Sequence, residues 1–310
     1  MQGINVEFLS SWMAASIRSG APLMLTGVGG VYTERVGVFN IGMEGMMLAG
    51  AFAAIVGSYF LKSILIATLA AMAVGGLLGL IHAYITVTCR ANQIVSGLAI
   101  NFLSLGVTNL LNARLFHAAR MRAKLYPIIF STKLQNLPFF GSVLFSQSLI
   151  VWIAFILPLI GAWFLYRTNW GLNIRAVGEN PYAVASAGLS VTRIKYIGVI
   201  ISGICSGLGG SALVLSKLGY FTPGITAGRG FIVLAALVLG KWNPIWVALV
   251  GLLFGGADAL QLRLQTFESA IPYQFPVMLP YILTIAALAG FIGRTVPPKT
   301  VGKPYYPEKF

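Results

Sequence analysis

Runs of about 20 mainly apolar residues recur along the whole chain, and they limit its fold more than any other feature. That is the length a helix needs to cross the hydrocarbon layer of a bilayer, where every backbone N–H and C=O must be satisfied within the segment. Such runs lie near residues 8–30, 43–60, 64–88, 93–112, 143–166, 195–216, 226–240, 245–262 and 276–293. They predict an all-α polytopic membrane protein of about nine transmembrane helices. The stretch 226–240 is short for a full crossing and reads as part of a broken helix. Composition agrees: 57 % of the residues are hydrophobic and 9 % charged, against roughly 25 % charged in soluble domains. A water-soluble body of this size could not hide so much apolar surface, and a disordered chain has the opposite composition.

Charge is the next constraint. Twenty-one Lys and Arg against seven Asp and Glu leave a formal charge of +14. The basic residues are scattered singly or in short loops between apolar runs, so they read as loop charge facing lipid headgroups and not as a nucleic-acid surface. Cys89 and Cys205 form no disulfide framework and no zinc spacing. The opening MQGINVEFLSS has no basic leader, and no cleaved signal peptide is expected.

Catalytic patterns are missing. His82 and His117 stand far apart, without a HExxH pair, and no GxSxG elbow occurs. Gly240-Lys241 is followed by Trp242 and Gly302-Lys303 by Pro304, so neither makes a phosphate-cradling GxxxxGK[ST] loop. No catalysis and no bound cofactor is expected of this chain. If ATP drives its work, ATP and Mg sit on another polypeptide.

Four polar segments separate the runs: 31–42, the long basic loop 113–142, the loop 167–194, and the proline-broken tail 294–310. Placing 167–194 and the tail inside puts 113–142 and the N-terminus outside, although the Lys/Arg count between the two sides is then nearly even. An internal echo crosses the chain. FNIGMEGMMLAGAFAAIVGSYF, a turn at Lys62 and AAMAVGGLLGLIHAYI parallel FTPGITAGRGFIVLAALVLG, a turn at Lys241 and ALVGLLFGGADALQL. Gly75 and Gly79 precede His82 at the spacing with which Gly251 and Gly255 precede Asp258. With Lys62 outside and Lys241 inside, these read as inverted repeats over about 8–112 and 195–293, joined by a helix at 143–166.

Gly75-xxx-Gly79, Gly203-xxx-Gly207 and Gly251-xxx-Gly255 let helix backbones approach closely in lipid, and packing within one bundle is the favoured reading. Polar groups inside apolar runs are costly and mark function or helix–helix bonds. Asn40, Glu44, Asn101 and Asp258 are the candidates for a translocation path, with His82 a further buried ionisable group. Gly42 and Gly45 beside Glu44 permit a helix break. In RAVGENPYAVASAGLS, Asn180 can cap a short helix from Pro181 to Ala187 that stops at Gly188, a helix suited to docking in a partner's groove.

GVFNIGMEGMMLAGAF, NQIVSGLAINFLSLG, RAVGENPYAVASAGLS and GRGFIVLAALVLGKWNP resemble the permease subunits of ATP-binding-cassette importers of the ribose and branched-chain amino acid type, nearest the nucleoside and simple-sugar branch. The likeness covers about residues 20 to 293. It implies a single permease domain whose coupling segment, with Arg175, Gly178, Glu179, Asn180, Pro181, Ala183, Ala187 and Gly188, seats in an ATPase subunit. It also implies a second permease, read as a paralogue in a heterodimer, and an extracellular substrate-binding lipoprotein. An ion-coupled transporter using Glu44 or Asp258, a permease for branched-chain amino acids, and a membrane enzyme are the rival readings; the last lacks catalytic pairs.

Overall fold

A computed structural model of the chain describes residues 6–116, 123–135, 137, 139–216, 218–265, 278, 282, 285 and 296–306. Most of the expected span 276–293 lies outside the described residues, as do His117, Arg120, Arg122 and Arg294. The chain runs as α1 (Val6–Arg35), α2 (Met43–Leu61), α3 (Ile64–Ala83) and α4 (Gln93–Phe116), then a short α5 (Thr132–Gln135) and α6 (Leu149–Arg167). It continues as α7 (Asn169–Glu179), α8 (Pro181–Ser186), α9 (Val191–Leu215), α10 (Arg229–Leu239) and α11 (Pro244–Leu264). Two π-helical turns, Tyr84–Thr88 after α3 and Gly141–Phe145 before α6, complete the described architecture. The one β-type pairing among the described residues is an isolated bridge between Ile128 and Ser148.

Six of these helices are long and apolar enough to cross a membrane: α2, α3 with its π turn, α4, α6, α9 and α11. With 30 residues α1 is longer than any of them, but it carries Glu7, Arg18, Glu34 and Arg35. The count among the described residues is therefore six against the expected nine or so, and α10, at 11 residues, is as short for a full crossing as the sequence suggested.

Burial sorts the spans into an inner and an outer set. Most of α9 is buried, while α3 and α4 turn Leu65, Leu69, Leu77, Phe102, Leu103 and Leu110 outward. In lipid such faces carry no penalty, and packing, not hydrophobicity, draws the helices together. Small residues make that packing close. A Cβ on Gly75 of α3 would fall on the Gly203 carbonyl oxygen of α9, and one on Gly50 of α2 would sit 2.5 Å from the Gly207 Cα. The glycines of Gly251-xxx-Gly255 meet α1 at Met24 and Gly20 in the same way. All three small-residue patterns thus close contacts inside one chain, with α9 as the hub.

Two local readings change. The segment 31–42 is not wholly irregular, because α1 continues to Arg35 before the chain turns at Gly37 with φ +79°. The loop 167–194 holds two helices instead of one: Thr168 caps α7 by accepting the Gly171 amide at 3.1 Å, ahead of the expected α8. Outside the spans, Tyr126 anchors its loop by placing its hydroxyl 2.7 Å from Thr68 Oγ1 and 2.9 Å from Ser211 Oγ. Burial pushes its pKa up, so it keeps the proton it shares with those partners.

Candidate functional site

Two helices begin inside the molecule, and their first turns meet. Glu44 in the first turn of α2 accepts the Thr226 hydroxyl at 2.6 Å and the Gly228 amide at 2.9 Å on Oε1, and the Gly230 amide at 2.7 Å on Oε2. A carboxylate is favoured there because the first N–H groups of a helix have no partner within it and the helix dipole is positive at that end. The approach is so close that a Cβ on Gly230 would lie 2.5 Å from the Glu44 Cα. The start of α2 is closed in turn by α4. Asn101 Oδ1 accepts the Gly45 amide at 2.8 Å, and its Nδ2 donates to the Ile41 carbonyl at 3.2 Å.

Arg229, the first residue of α10, reaches the other way and pairs with Asp258 of α11 at 3.0 Å. Asp258 therefore has a cationic partner, and Glu44 has three donors. His82 is fully buried, with Nδ1 3.0 Å from Ser96 Oγ and Nε2 3.3 Å from the Phe39 carbonyl. Gln93 accepts the Phe39 amide at 2.6 Å. Asn40, also fully buried, donates to Ser202 Oγ at 3.1 Å, while its Oδ1 has no partner among the described residues. These bonds hold the irregular stretch 36–42 against α3, α4 and α9 at a depth where unpaired backbone would be costly.

Cavities lie to either side of this seam. The first, of about 490 Å³, is lined by Ser11, Arg18 and Ser19 of α1, Ser216 at the end of α9, and Arg229, Asp258 and Arg263. The second, of about 480 Å³, is lined by Glu34, Phe39 and Trp242 together with Leu234, Ala235 and Val238 of α10. Its rim is tied: Trp242 Nε1 donates to Glu34, and Arg35 Nε donates to the Trp242 carbonyl at 3.1 Å. The first residue of α10 thus borders one cavity and its later turns the other.

The structure brings Asn40, Glu44 and Asn101 to one seam, with Asp258 one arginine away. Sequence reasoning missed Arg18 and Arg263, which share the first cavity with Asp258, and the Glu34–Trp242 pair. One charge inside an otherwise apolar run was the available signal for Arg18. The residues expected to couple to an ATPase fall in two groups. Glu179, Asn180, Ala183, Ala187 and Gly188 are exposed, while Gly178 and Pro181 are buried. Asn180 caps α8 by accepting the Ala183 amide at 3.2 Å, and Gly188 leaves the helix at φ +79°. Arg175 turns toward the body of the protein, its guanidinium 5.3 Å above the Tyr166 ring.

Residues 12–288 match the family described as the branched-chain amino acid transport system / permease component. The chain belongs to that permease family. As a permease it is 42 % identical to the guanosine ABC transporter permease protein NupQ of Bacillus subtilis, over 98 % of this chain and 99 % of that one. It is 34 % identical to the nucleoside ABC transporter permease protein NupC of Lactococcus lactis, over 98 % and 99 % of the two chains. A second B. subtilis guanosine ABC transporter permease protein, NupP, is 28 % identical over 92 % of this permease and 83 % of that chain. With six apolar spans among the described residues, the permease is a multi-pass protein of the cell membrane.

Proposed function

We propose that this permease carries a nucleoside across the membrane as one subunit of an ATP-driven importer. The observation that supports it most is the meeting of α2 and the short α10, whose first turns pack against each other at Glu44 while α10 borders two cavities in turn. Broken helices with inward-facing N-termini are how membrane transporters expose polar backbone at mid-depth. Closing one cavity while opening the other gives alternating access around a fixed seam. The same arrangement favours the inverted-repeat reading, with α2 and α10 as counterparts, and about nine spans when α1, the short α10 and 276–293 are counted with the six.

A nucleoside is neutral and rich in hydrogen-bonding groups, and the cavity with Ser11, Arg18, Ser19 and Arg229 offers hydroxyl and guanidinium donors to such a solute. Relatives named for guanosine and nucleosides point the same way and away from branched-chain amino acids. Energy comes from a separate ATPase subunit that binds ATP and Mg and docks on the exposed face of α8. The two B. subtilis permeases named for guanosine suggest a paralogous partner, so a heterodimer is proposed, fed by an extracellular binding lipoprotein. The ion-coupled alternative would use Glu44 or Asp258; here Asp258 is paired with Arg229 and Glu44 accepts from three donors.

Competition tests the substrate class. Uptake of labelled guanosine by cells expressing the complete transporter should be suppressed by excess unlabelled nucleosides and unaffected by leucine or valine. Suppression by branched-chain amino acids alone would overturn the assignment.

A further inference from the structure

Residues 296–306 cross the face of the molecule that carries α7 and α8 and touch four elements at once. Thr300 donates its amide to the Gly178 carbonyl at 3.0 Å and its hydroxyl to the same oxygen at 2.8 Å. Gly178 lies in the last turn of α7, so the side chain and the backbone of one tail residue both hold the end of that helix. On its other side the Thr300 hydroxyl packs directly on Gly37, where a Cβ would overlap it. Gly37 is the turn that leads from α1 into the stretch 36–42. Tyr305 sets its ring 5.5 Å from Tyr182 on α8, and Arg90 of the α3–α4 turn lies 4.9 Å above the Tyr306 ring.

The tail is shaped for this. The Val301 amide reaches the Pro298 carbonyl at 3.2 Å and the Lys303 amide the Thr300 carbonyl at 3.0 Å, with Gly302 at φ +79° closing the turn. Pro298 is buried, and Pro297 and Val301 line the cavity that holds Glu34, Phe39 and Trp242. A chain terminus is ordinarily loose unless something ties it down. Here the ties join the docking helices to the segment beside the seam.

We propose that Thr300 is a positioning residue for transport: it links α7 and α8 to the turn at Gly37, so that displacement of the docking helices is passed to 36–42 and to the cavity beneath. The proposal rests on the coupling reading of α7 and α8. Without the link those helices could move with the ATPase while 36–42 and the cavity beside it stayed where they were.

The test uses the complete transporter in proteoliposomes and reads guanosine taken up per ATP hydrolysed. Thr300→Val keeps the shape and the amide bond but loses the hydroxyl, while Thr300→Ser keeps the hydroxyl. Thr300→Val should lower the ratio by about three- to tenfold, the weight of one hydrogen bond, with the ATPase co-purifying at the parental level. Thr300→Ser should restore the parental ratio, and Tyr305→Ala, which removes the ring contact with Tyr182, should lower it. A parental ratio in Thr300→Val would overturn the proposal, as would an equal loss in Thr300→Val and Thr300→Ser. Ala187→Trp is run alongside to separate the two readings. If it expels the ATPase while Thr300→Val keeps a parental ratio, the link alone fails; if it retains the ATPase with normal uptake, the coupling reading fails and the proposal with it.

Discussion

Glu44 closes the first turn of a helix to which it does not belong: its Oε2 takes the Gly230 amide at 2.7 Å, across 186 residues of sequence. Oε1 takes the Gly228 amide and the Thr226 hydroxyl. Glu44→Leu should therefore leave three donors without an acceptor, at about 1–3 kcal/mol for each that stays buried and dry. Glu44→Gln keeps one acceptor oxygen and should cost about 1–2 kcal/mol, the weight of a weakened helix cap. Thermal unfolding of the purified transporter and uptake at matched membrane expression should rank parent, Gln, then Leu. Equal, parental behaviour of both variants would remove Glu44 from the seam.

Arg229 and Asp258 form an ion pair at 3.0 Å in a cavity that also holds Arg18 and Arg263. Asp258 is the one acidic group among the described residues that line that cavity, beside three guanidinium groups. Both partners are partly solvated, so the discounted cost of Asp258→Ala is about 1–2 kcal/mol, below that of a fully buried pair. Arg229→Ala combined with Asp258→Ala should cost less than the sum of the single changes. A double-mutant cycle on thermal stability checks this, and strict additivity would contradict it.

Close helix contact can be tested at two glycines of opposite setting. Gly75→Ala would place its Cβ on the Gly203 carbonyl oxygen, whereas Gly106 on α4 has nothing within 4 Å of an added Cβ. The first change should destabilise by about 1–3 kcal/mol through overpacking. The second should be neutral or stabilising by up to about 1 kcal/mol, since alanine is the better helix former. The amount of folded protein extracted from membranes, compared before and after heating, reads the difference.

Sidedness follows from the meeting of α2 and α10 at their first turns. In a Cys89→Ser background, Lys62→Cys and Lys241→Cys should react with a membrane-impermeant thiol reagent from opposite sides of the membrane. Both native lysines are exposed, at the ends of α2 and α10. Labelling of both from one side would contradict the inverted arrangement.

Much of this fold could be read from the chain because a bilayer leaves few choices. A spanning helix needs its full length of apolar residues, so α2, α3, α4, α6, α9 and α11 stood out, and 226–240 stood out as too short for a full crossing. Asn180, Pro181 and Gly188 likewise carry local instructions for starting and stopping α8. The partners of the polar groups were not legible. Glu44 is held mainly by backbone amides, and every residue type except proline offers an amide, so no side-chain pattern could announce Gly228 and Gly230. Arg18 hid inside an apolar run because one charge scarcely lowers an average over 20 residues. Thr300 and Gly178 meet across 122 residues with no periodic signal in either segment. The helix α7 was read as loop because its polar face suggested solvent, while its apolar residues Ile174 and Val177 pack into the core.

The most direct measurement is uptake by the purified permease reconstituted with the proposed partner permease, ATPase and binding protein in sealed vesicles. Labelled guanosine is supplied outside, and either ATP with Mg or an imposed proton or sodium gradient provides the drive. The account requires accumulation with ATP on the side bearing the ATPase, lost when a non-hydrolysable analogue replaces it and indifferent to either gradient. Accumulation driven by a gradient in the absence of ATP would contradict it.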